Sequence, residues 1–250
     1  MERGAVLRRL TWQLAEVAEV IPETARVRSL ALRVSAWPGH SPGQHLDVRL
    51  TAEDGYQAQR SYSIASAPED AHVAITVEKI DDGEVSPYLV DELRTGDRLE
   101  IRGPIGGYFT WTASDGGPLL LVAGGSGVVP LMAMLRHRAA AGYAGPTTLL
   151  YSSRTFEDII YRAELDRLAA ADPSLRVVHT LTRGQPPGWT GYRRRFDRDM
   201  LAEVAPPAGT HALAFVCGPT RMVESAAEIL TGLDYPAQRI KTERFGPTGG

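Results

Sequence analysis

The sequence predicts two domains, an antiparallel β-barrel over residues 1–114 and an α/β domain with a parallel sheet over residues 115–250. Three observations predict this. The first half is cut by turn residues into short apolar alternations, the character of the chain changes at Ser114-Asp115-Gly116-Gly117, and apolar runs then alternate with helical stretches.

Within residues 43–50, Leu46, Val48 and Leu50 alternate with polar residues, the period-two mark of a half-buried strand. Val73, Ile75 and Val77 repeat the pattern, as do Leu99 and Ile101. Pro38-Gly39, Glu53-Asp54-Gly55 and Thr95-Gly96-Asp97 supply turn chemistry between them. Several short strands at this spacing suggest a small barrel. Beyond residue 115, Leu119-Leu120-Leu121-Val122 is a continuous apolar run, as a parallel strand buried on both faces requires. A helix is predicted over 131–141. The cycle recurs as strand 147–151 with helix 161–171, and strand 212–216 with helix 221–230. Such alternation means parallel strands joined by crossover helices.

Hydrophobic content of 43% and charged content of 23% fit a globular chain. A net charge of -3 gives no whole-chain case for nucleic-acid binding or for an acidic membrane surface. The longest apolar stretch, 118–123, is far too short to span a bilayer. Met1-Glu2-Arg3-Gly4 opens no secretory leader, so a cytoplasmic location is expected. One cysteine excludes an internal disulfide and a cluster held by four thiolates of this chain. His40, His45, His72, His137, His179 and His211 show no metal-ligand spacing, so no metal site is expected. Neither a Ser/His/Asp arrangement nor paired carboxylates stand out.

Four segments carry the chemistry: Arg60-Ser61-Tyr62-Ser63, Gly83-Glu84-Val85-Ser86, Gly124-Gly125-Ser126-Gly127-Val128-Val129-Pro130 and Cys217-Gly218-Pro219. In the first, a guanidinium suits a pyrophosphate, a tyrosine two residues along faces the same side and suits a flat ring, and a hydroxyl suits ring nitrogens. In the second, Ser86 is read as the N-cap and Pro87 as the first residue of a helix over 88–93, whose unpaired amides suit a second phosphate. The third follows a buried strand and opens a helix at Pro130, so its glycines suit close approach to a pyrophosphate. Ser153-Arg154, ending the next strand, suits an adenosine 2′-phosphate; the alternative is a surface arginine paired with Glu157 or Asp158. Arg193-Arg194-Arg195 grips the same phosphate, docks an acidic partner, or is a solvated face.

In this order and at these separations the segments resemble the ferredoxin–NADP reductase superfamily, in which an FAD barrel precedes a nicotinamide-binding α/β domain. The resemblance covers nearly the whole chain and implies FAD together with NADPH or NADH, Ser153-Arg154 favouring NADPH. It implies that Arg60 holds the FAD pyrophosphate, Tyr62 stacks on the ring and Ser63 sits near flavin N5. Val77, Glu78 and Lys79 would line the ribityl and adenosine portion mainly through backbone, with Gly83, Val85 and Ser86 at the phosphates. Gly103–Phe109 resembles the segment that closes the barrel. Gly124, Gly125, Ser126 and Gly127 would receive the nicotinamide nucleotide, with Cys217-Gly218 beside nicotinamide C4. Cys217 is read there as a positioning residue and not a nucleophile. Phe245 covers the second flavin face or makes a plain inter-domain contact, with Glu243 as a polar partner and mobile residues after it. Ser63, Cys217 and Glu243 are thus the candidate catalytic residues.

The implied reaction is hydride transfer from NAD(P)H to FAD, with nicotinamide C4 about 3–3.5 Å from flavin N5. Electrons would then pass to a separate redox protein such as a ferredoxin; many relatives carry a fused [2Fe–2S] domain with four cysteines that this sequence does not show, so the acceptor is expected to be another chain or a small molecule. The alternatives are a diaphorase or ferric or flavin reductase serving small diffusible acceptors, and a non-catalytic flavin-binding sensor. The oligomeric state is not legible.

Overall fold

The first half folds as predicted, with more strands than the alternations disclosed. A computed structural model describes residues 10–246; Met1–Gly4 and Pro247–Gly250, read above as leaderless start and mobile tail, lie outside them. Strands β1 (Gln13–Pro22), β2 (Val27–Arg33), β3 (His45–Thr51), β4 (Gln57–Ser63), β5 (Val73–Glu78) and β6 (Arg98–Ile105) form one antiparallel sheet in the order β4-β3-β6-β1-β2-β5. Its two ends meet through an Ile64–Ile75 bridge, and the Ala65 N–H donates to the Ala74 carbonyl at 2.7 Å. That closure makes the sheet a barrel and removes its free edges. The alternating residues fill it: Ala15, Val17, Leu30, Leu32, Leu46, Val48, Ile75, Val77, Leu99 and Ile101 are all buried.

The second half is a parallel sheet of five strands, ordered β11-β10-β7-β8-β9. They are β7 (Leu119–Gly124), β8 (Thr147–Ser153), β9 (Leu175–Leu181), β10 (Leu213–Pro219) and β11 (Ile240–Phe245). Helices α1 (Val128–Ala140), α2 (Arg162–Ala171), α3 (Arg198–Val204) and α4 (Thr220–Thr231) cover it. Every residue of β7 is buried, as its unbroken apolar run requires. The tail read as mobile after Phe245 is preceded by β11, an edge strand paired in parallel with β10 from Ala214–Ile240 to Pro219–Phe245. Among the described residues no helix is long and apolar enough to cross a membrane.

Two local readings are corrected. Ser86 does not cap: its hydroxyl accepts the Ile80 N–H at 3.0 Å, and the helical segment is a single wide π-type turn, Tyr88–Glu92, closed by Leu93 N–H to Tyr88 O at 3.0 Å. The helix after the glycine loop begins at Val128 and not at Pro130, because Gly125–Gly127 already form a tight helical turn leading into it.

The two sheets share one apolar core. Val27 and Ala65 of the first half pack in the same cluster as Leu121, Val128, Leu131 and Phe215, and Phe109 and Trp111 of the connecting segment sit among them. Polar contacts reinforce this seam: Arg136 donates to the Ala65 carbonyl at 2.8 Å, and Lys241 Nζ to the Thr110 carbonyl at 3.0 Å. The Tyr161 hydroxyl donates to Thr76 across the same boundary. Trp111 is fully buried, edge-on to Tyr143 at 5.3 Å and to His137 at 5.8 Å. Trp111→Ala should therefore lower the unfolding free energy by about 3–5 kcal/mol. Chemical denaturation checks it, and a loss under about 1 kcal/mol would remove Trp111 from the seam.

Candidate functional site

The strand ends and loops of the second half meet the barrel across a cleft of about 580 Å³. Its floor is the glycine loop at the C-terminal end of β7. Gly127 lies so close to β10 that an added Cβ would stand 2.2 Å from the Cys217 carbonyl oxygen, and one on Gly124 would stand 2.1 Å from Met222 Sδ. Gly127 lets the loop lie flat against β10, and Gly124 leaves room for Met222 of α4. Gly124, Gly125 and Ser126 line the cleft, as do Ser153, Arg154 and Phe245.

Sequence reasoning left several walls unassigned. On the barrel side the cleft is lined by Thr24, Arg26, Val27 and Glu78, and on the other side by Arg195, Arg221 and Met222. Glu78 and Arg195 belong to segments named from the sequence; no motif marks Thr24, Arg26, Val27, Arg221 and Met222, since turn β1–β2 and helix α4 meet only in the fold. Among the described residues the guanidiniums of Arg154, Arg195 and Arg221 make neither an ion pair nor a hydrogen bond, although all three line this cleft. Asp158, the alternative partner of Arg154, is instead occupied by the Thr155 N–H and hydroxyl at 3.1 and 3.0 Å. Exposed cations gathered without counter-charges form an anion-binding wall. With the open glycine loop beside it, the donor set fits a nucleotide phosphate.

The barrel residues of the first motif lie elsewhere. Arg60, Tyr62 and Ser63 end strand β4, and none of them lines the cleft. Tyr62 is half-buried against the barrel core, and burial pushes its hydroxyl up to about 12, so it acts as a neutral aromatic surface. Arg60 is exposed, and its Nη2 holds a Glu84 carboxylate oxygen at 2.5 Å, which shows the guanidinium within reach of an anion. A flat ring surface two residues from a reachable guanidinium fits a flavin nucleotide. Val77 and Val85 are buried in the barrel core, so their side chains face away from any ligand. The Lys79 backbone is bonded both ways to Arg26: its N–H to the Arg26 carbonyl at 2.9 Å, its carbonyl to Arg26 Nη2 at 2.8 Å. Its Nζ pairs with Asp91 at 2.5 Å. Gly83 and Ser86 lie in the tight segment closed on Ile80, and Gly218 follows Cys217 at the end of β10.

Cys217 and Glu243 are neighbours across the β10–β11 ladder. Cys217 is buried; burial first, then the Glu243 charge, pushes its thiol well above the ordinary range, which closes thiolate chemistry. Burial raises the Glu243 carboxyl to about 7, and its Oε2 is enclosed without a hydrogen-bond partner. Phe245 pairs in register with Pro219 at the end of the same ladder and packs on the shared core while facing the cleft.

Two outcomes follow from this geometry. Gly127→Ala should displace the loop from β10 and lower kcat/KM for a nicotinamide nucleotide by about a hundredfold, as an ångström-scale misplacement does, with flavin content unchanged. Equal loss of FAD would show general unfolding instead. Glu243 rises from 4.5 to about 7 on folding, so between these values the native chain keeps a proton that the unfolded chain has released. Stability therefore falls as pH rises through that window, by roughly 3 kcal/mol in full, and the loss is absent below it. Glu243→Gln should gain on wild type by that order between about pH 4.5 and 8 in urea midpoints. A pH-independent difference would reject the buried titration.

Two family models match the chain. Residues 12–110 match the family model of the oxidoreductase FAD-binding domain, and residues 121–228 that of the oxidoreductase NAD-binding domain. The chain is 37% identical over 208 residues to ferredoxin–NADP reductase B of Sorangium cellulosum, covering 81% of this chain and 84% of that one. It is 32% identical over 244 residues to the ferredoxin reductase component of a 3-ketosteroid-9-alpha-monooxygenase from Mycobacterium tuberculosis, covering 92% of this chain but only 64% of that relative's length. The FAD/NAD-binding domain of nitric oxide dioxygenase from Vibrio cholerae superposes with a TM-score of 0.85 at 25% identity, covering 94% of this chain and 99% of that one. With an FAD barrel and a nicotinamide-nucleotide domain in this order and these sequence relatives, the chain belongs to the ferredoxin–NADP reductase superfamily, whose cofactors are FAD and NAD(P)H.

Proposed function

We propose that this chain, with residues 1–114 as its flavin unit and 115–250 as its nucleotide unit, is an NADPH-dependent reductase that delivers electrons to a separate redox protein. The observation that carries the reading is the cleft in which Arg154, Arg195 and Arg221, making no ion pair among the described residues, stand beside the open glycine loop. A 2′-phosphate supplies the charge that this wall lacks, which favours NADPH over NADH. FAD, when bound, supplies the step from hydride to single electrons.

The chain's own residues bind and orient. Arg60 grips the FAD pyrophosphate, Tyr62 presents its ring face to the flavin and Ser63 offers a hydroxyl at the ring edge. Gly124 to Gly127 receive the nucleotide pyrophosphate, and Ser153 stands beside Arg154 at the 2′-phosphate. Cys217, buried at the end of β10, supplies a small, neutral packing residue behind the nicotinamide site, and Glu243 beside it holds its proton below about pH 7. Phe245, exposed to the cleft, excludes water where the two rings meet. The Mycobacterium tuberculosis relative is the ferredoxin reductase component of an oxygenase, which supports a protein acceptor here too. The cytoplasm, where a lone cysteine stays reduced, is the compartment this chemistry suits.

The purified chain should show flavin absorption that bleaches anaerobically with NADPH faster than with NADH. A protein that takes up no FAD would sink the reading, and equal rates would remove the NADPH preference. Arg154→Ala should raise KM for NADPH roughly 10- to 100-fold while leaving KM for NADH nearly unchanged, as loss of a charge-assisted phosphate contact requires. Steady-state kinetics with the two donors check it.

A further inference from the structure

The side chain of Arg60 does not end free in solvent. Its Nη2 donates to Glu84 Oε2 at 2.5 Å, and its Nη1 to the Gln59 carbonyl at 2.7 Å. The other carboxylate oxygen of Glu84 accepts from the Tyr56 hydroxyl at 2.6 Å. These hydrogen bonds, that of Tyr56 first and that of Arg60 second, hold the Glu84 carboxyl below its ordinary range, so it is an anion at neutral pH. The segment that carries Glu84 is folded back on itself. The Gly83 N–H donates to the Ile80 carbonyl at 2.9 Å, and Ser86 Oγ accepts the Ile80 N–H at 3.0 Å. Residues 80–86 thus bring their own carboxylate to the guanidinium assigned above to the FAD pyrophosphate.

A carboxylate and a phosphate offer a guanidinium the same pair of oxygens at the same spacing. Arg60, Glu84 and Tyr56 are all exposed, and an exposed ion pair contributes little, so a dianionic ligand can displace it. We propose that Glu84 competes with the FAD pyrophosphate for Arg60 and thereby sets how tightly this chain holds its flavin. Tyr56 gives the displaced carboxylate a second donor to rest on. The proposal rests on the assignment of Arg60 to that pyrophosphate.

The test is a fluorescence titration of the flavin-stripped full chain with FAD and, separately, with riboflavin, which carries no phosphate. Wild type, Glu84→Gln, Arg60→Ala and the double variant are compared. Glu84→Gln should lower the Kd for FAD roughly two- to fivefold, the scale of one exposed ion pair, and leave that for riboflavin unchanged. On the Arg60→Ala background the same change should have no effect, since nothing is left to compete for. An unchanged or raised Kd for FAD in Glu84→Gln would overturn the proposal. A gain that survives without Arg60 would also overturn it, because through-space repulsion needs no shared guanidinium. If Arg60→Ala binds FAD as tightly as wild type, the assignment of Arg60 falls and the competition with it. If Arg60→Ala weakens FAD but Glu84→Gln does not tighten it, only the role of Glu84 falls.

Discussion

The cleft depends on a seam in which two sheets of different construction share one core. Domains of one chain move against each other unless their interface is large and apolar. Here Phe109 meets Phe215 edge-on at 5.3 Å, and Lys241 reaches over the Phe215 ring to the Thr110 carbonyl. Arg136 adds a second tie: it is held bidentately by Glu164 of α2 while it donates to Ala65 of the barrel. Hydride transfer tolerates errors of only a fraction of an ångström, so a reductase built from a barrel and a nucleotide domain needs its two halves fixed before either ligand arrives. The apolar part of the seam contributes strength, and its polar ties fix register.

Charge is distributed according to the same division of labour. Away from the cleft, cations are neutralised within the fold: Arg49 by Glu100, Arg102 by Asp47, Arg138 by Asp172. Arg154, Arg195 and Arg221 of the cleft have no such partners among the described residues, whereas Arg26 on the barrel side pairs with Asp81. An unpaired exposed guanidinium costs little in water, so it persists without harm to the fold and is available to a phosphate. The flavin side differs, because Arg60 is already shared with Glu84. One wall of the molecule therefore waits for its anion, while the other releases a carboxylate to receive one.

Much of this was legible in the sequence, for identifiable reasons. The barrel strands β3, β5 and β6 and the buried strand β7 announce themselves because one face or both faces must be apolar. Strand β4 does not, since of Gln57–Ser63 only Ala58 is buried. Strand β11 hides for the same reason: only Ile240 of its six residues is buried, because it is a sheet edge. The glycine loop was readable from composition, but the reason for Gly127 lies in a carbonyl of β10, far away in sequence. Ser86 misled because a serine before a proline is an ordinary cap, whereas here its hydroxyl is taken by the Ile80 N–H. Arg221 and Arg26 gave no signal at all, since a site wall assembled from separate loops leaves no spacing to read.

The pairing of β10 with β11 sets the Glu243 carboxyl beside Cys217, enclosed by the fold. Ionised, Glu243 would place an unpartnered charge beside a buried thiol, at a cost that grows with every donor it lacks. Protonated, it leaves the β10–β11 ladder uncharged behind a cleft lined by the guanidiniums of Arg154, Arg195 and Arg221. On the proposed reading, a nicotinamide dinucleotide carries its negative charge on the phosphates and presents a weakly charged ring at its other end. The guanidiniums of the cleft suit the phosphate end of that molecule, with Glu78 and Asp158 lining the same cleft. Raising the pH through the Glu243 transition charges this enclosed position, and the stability of the fold falls with it.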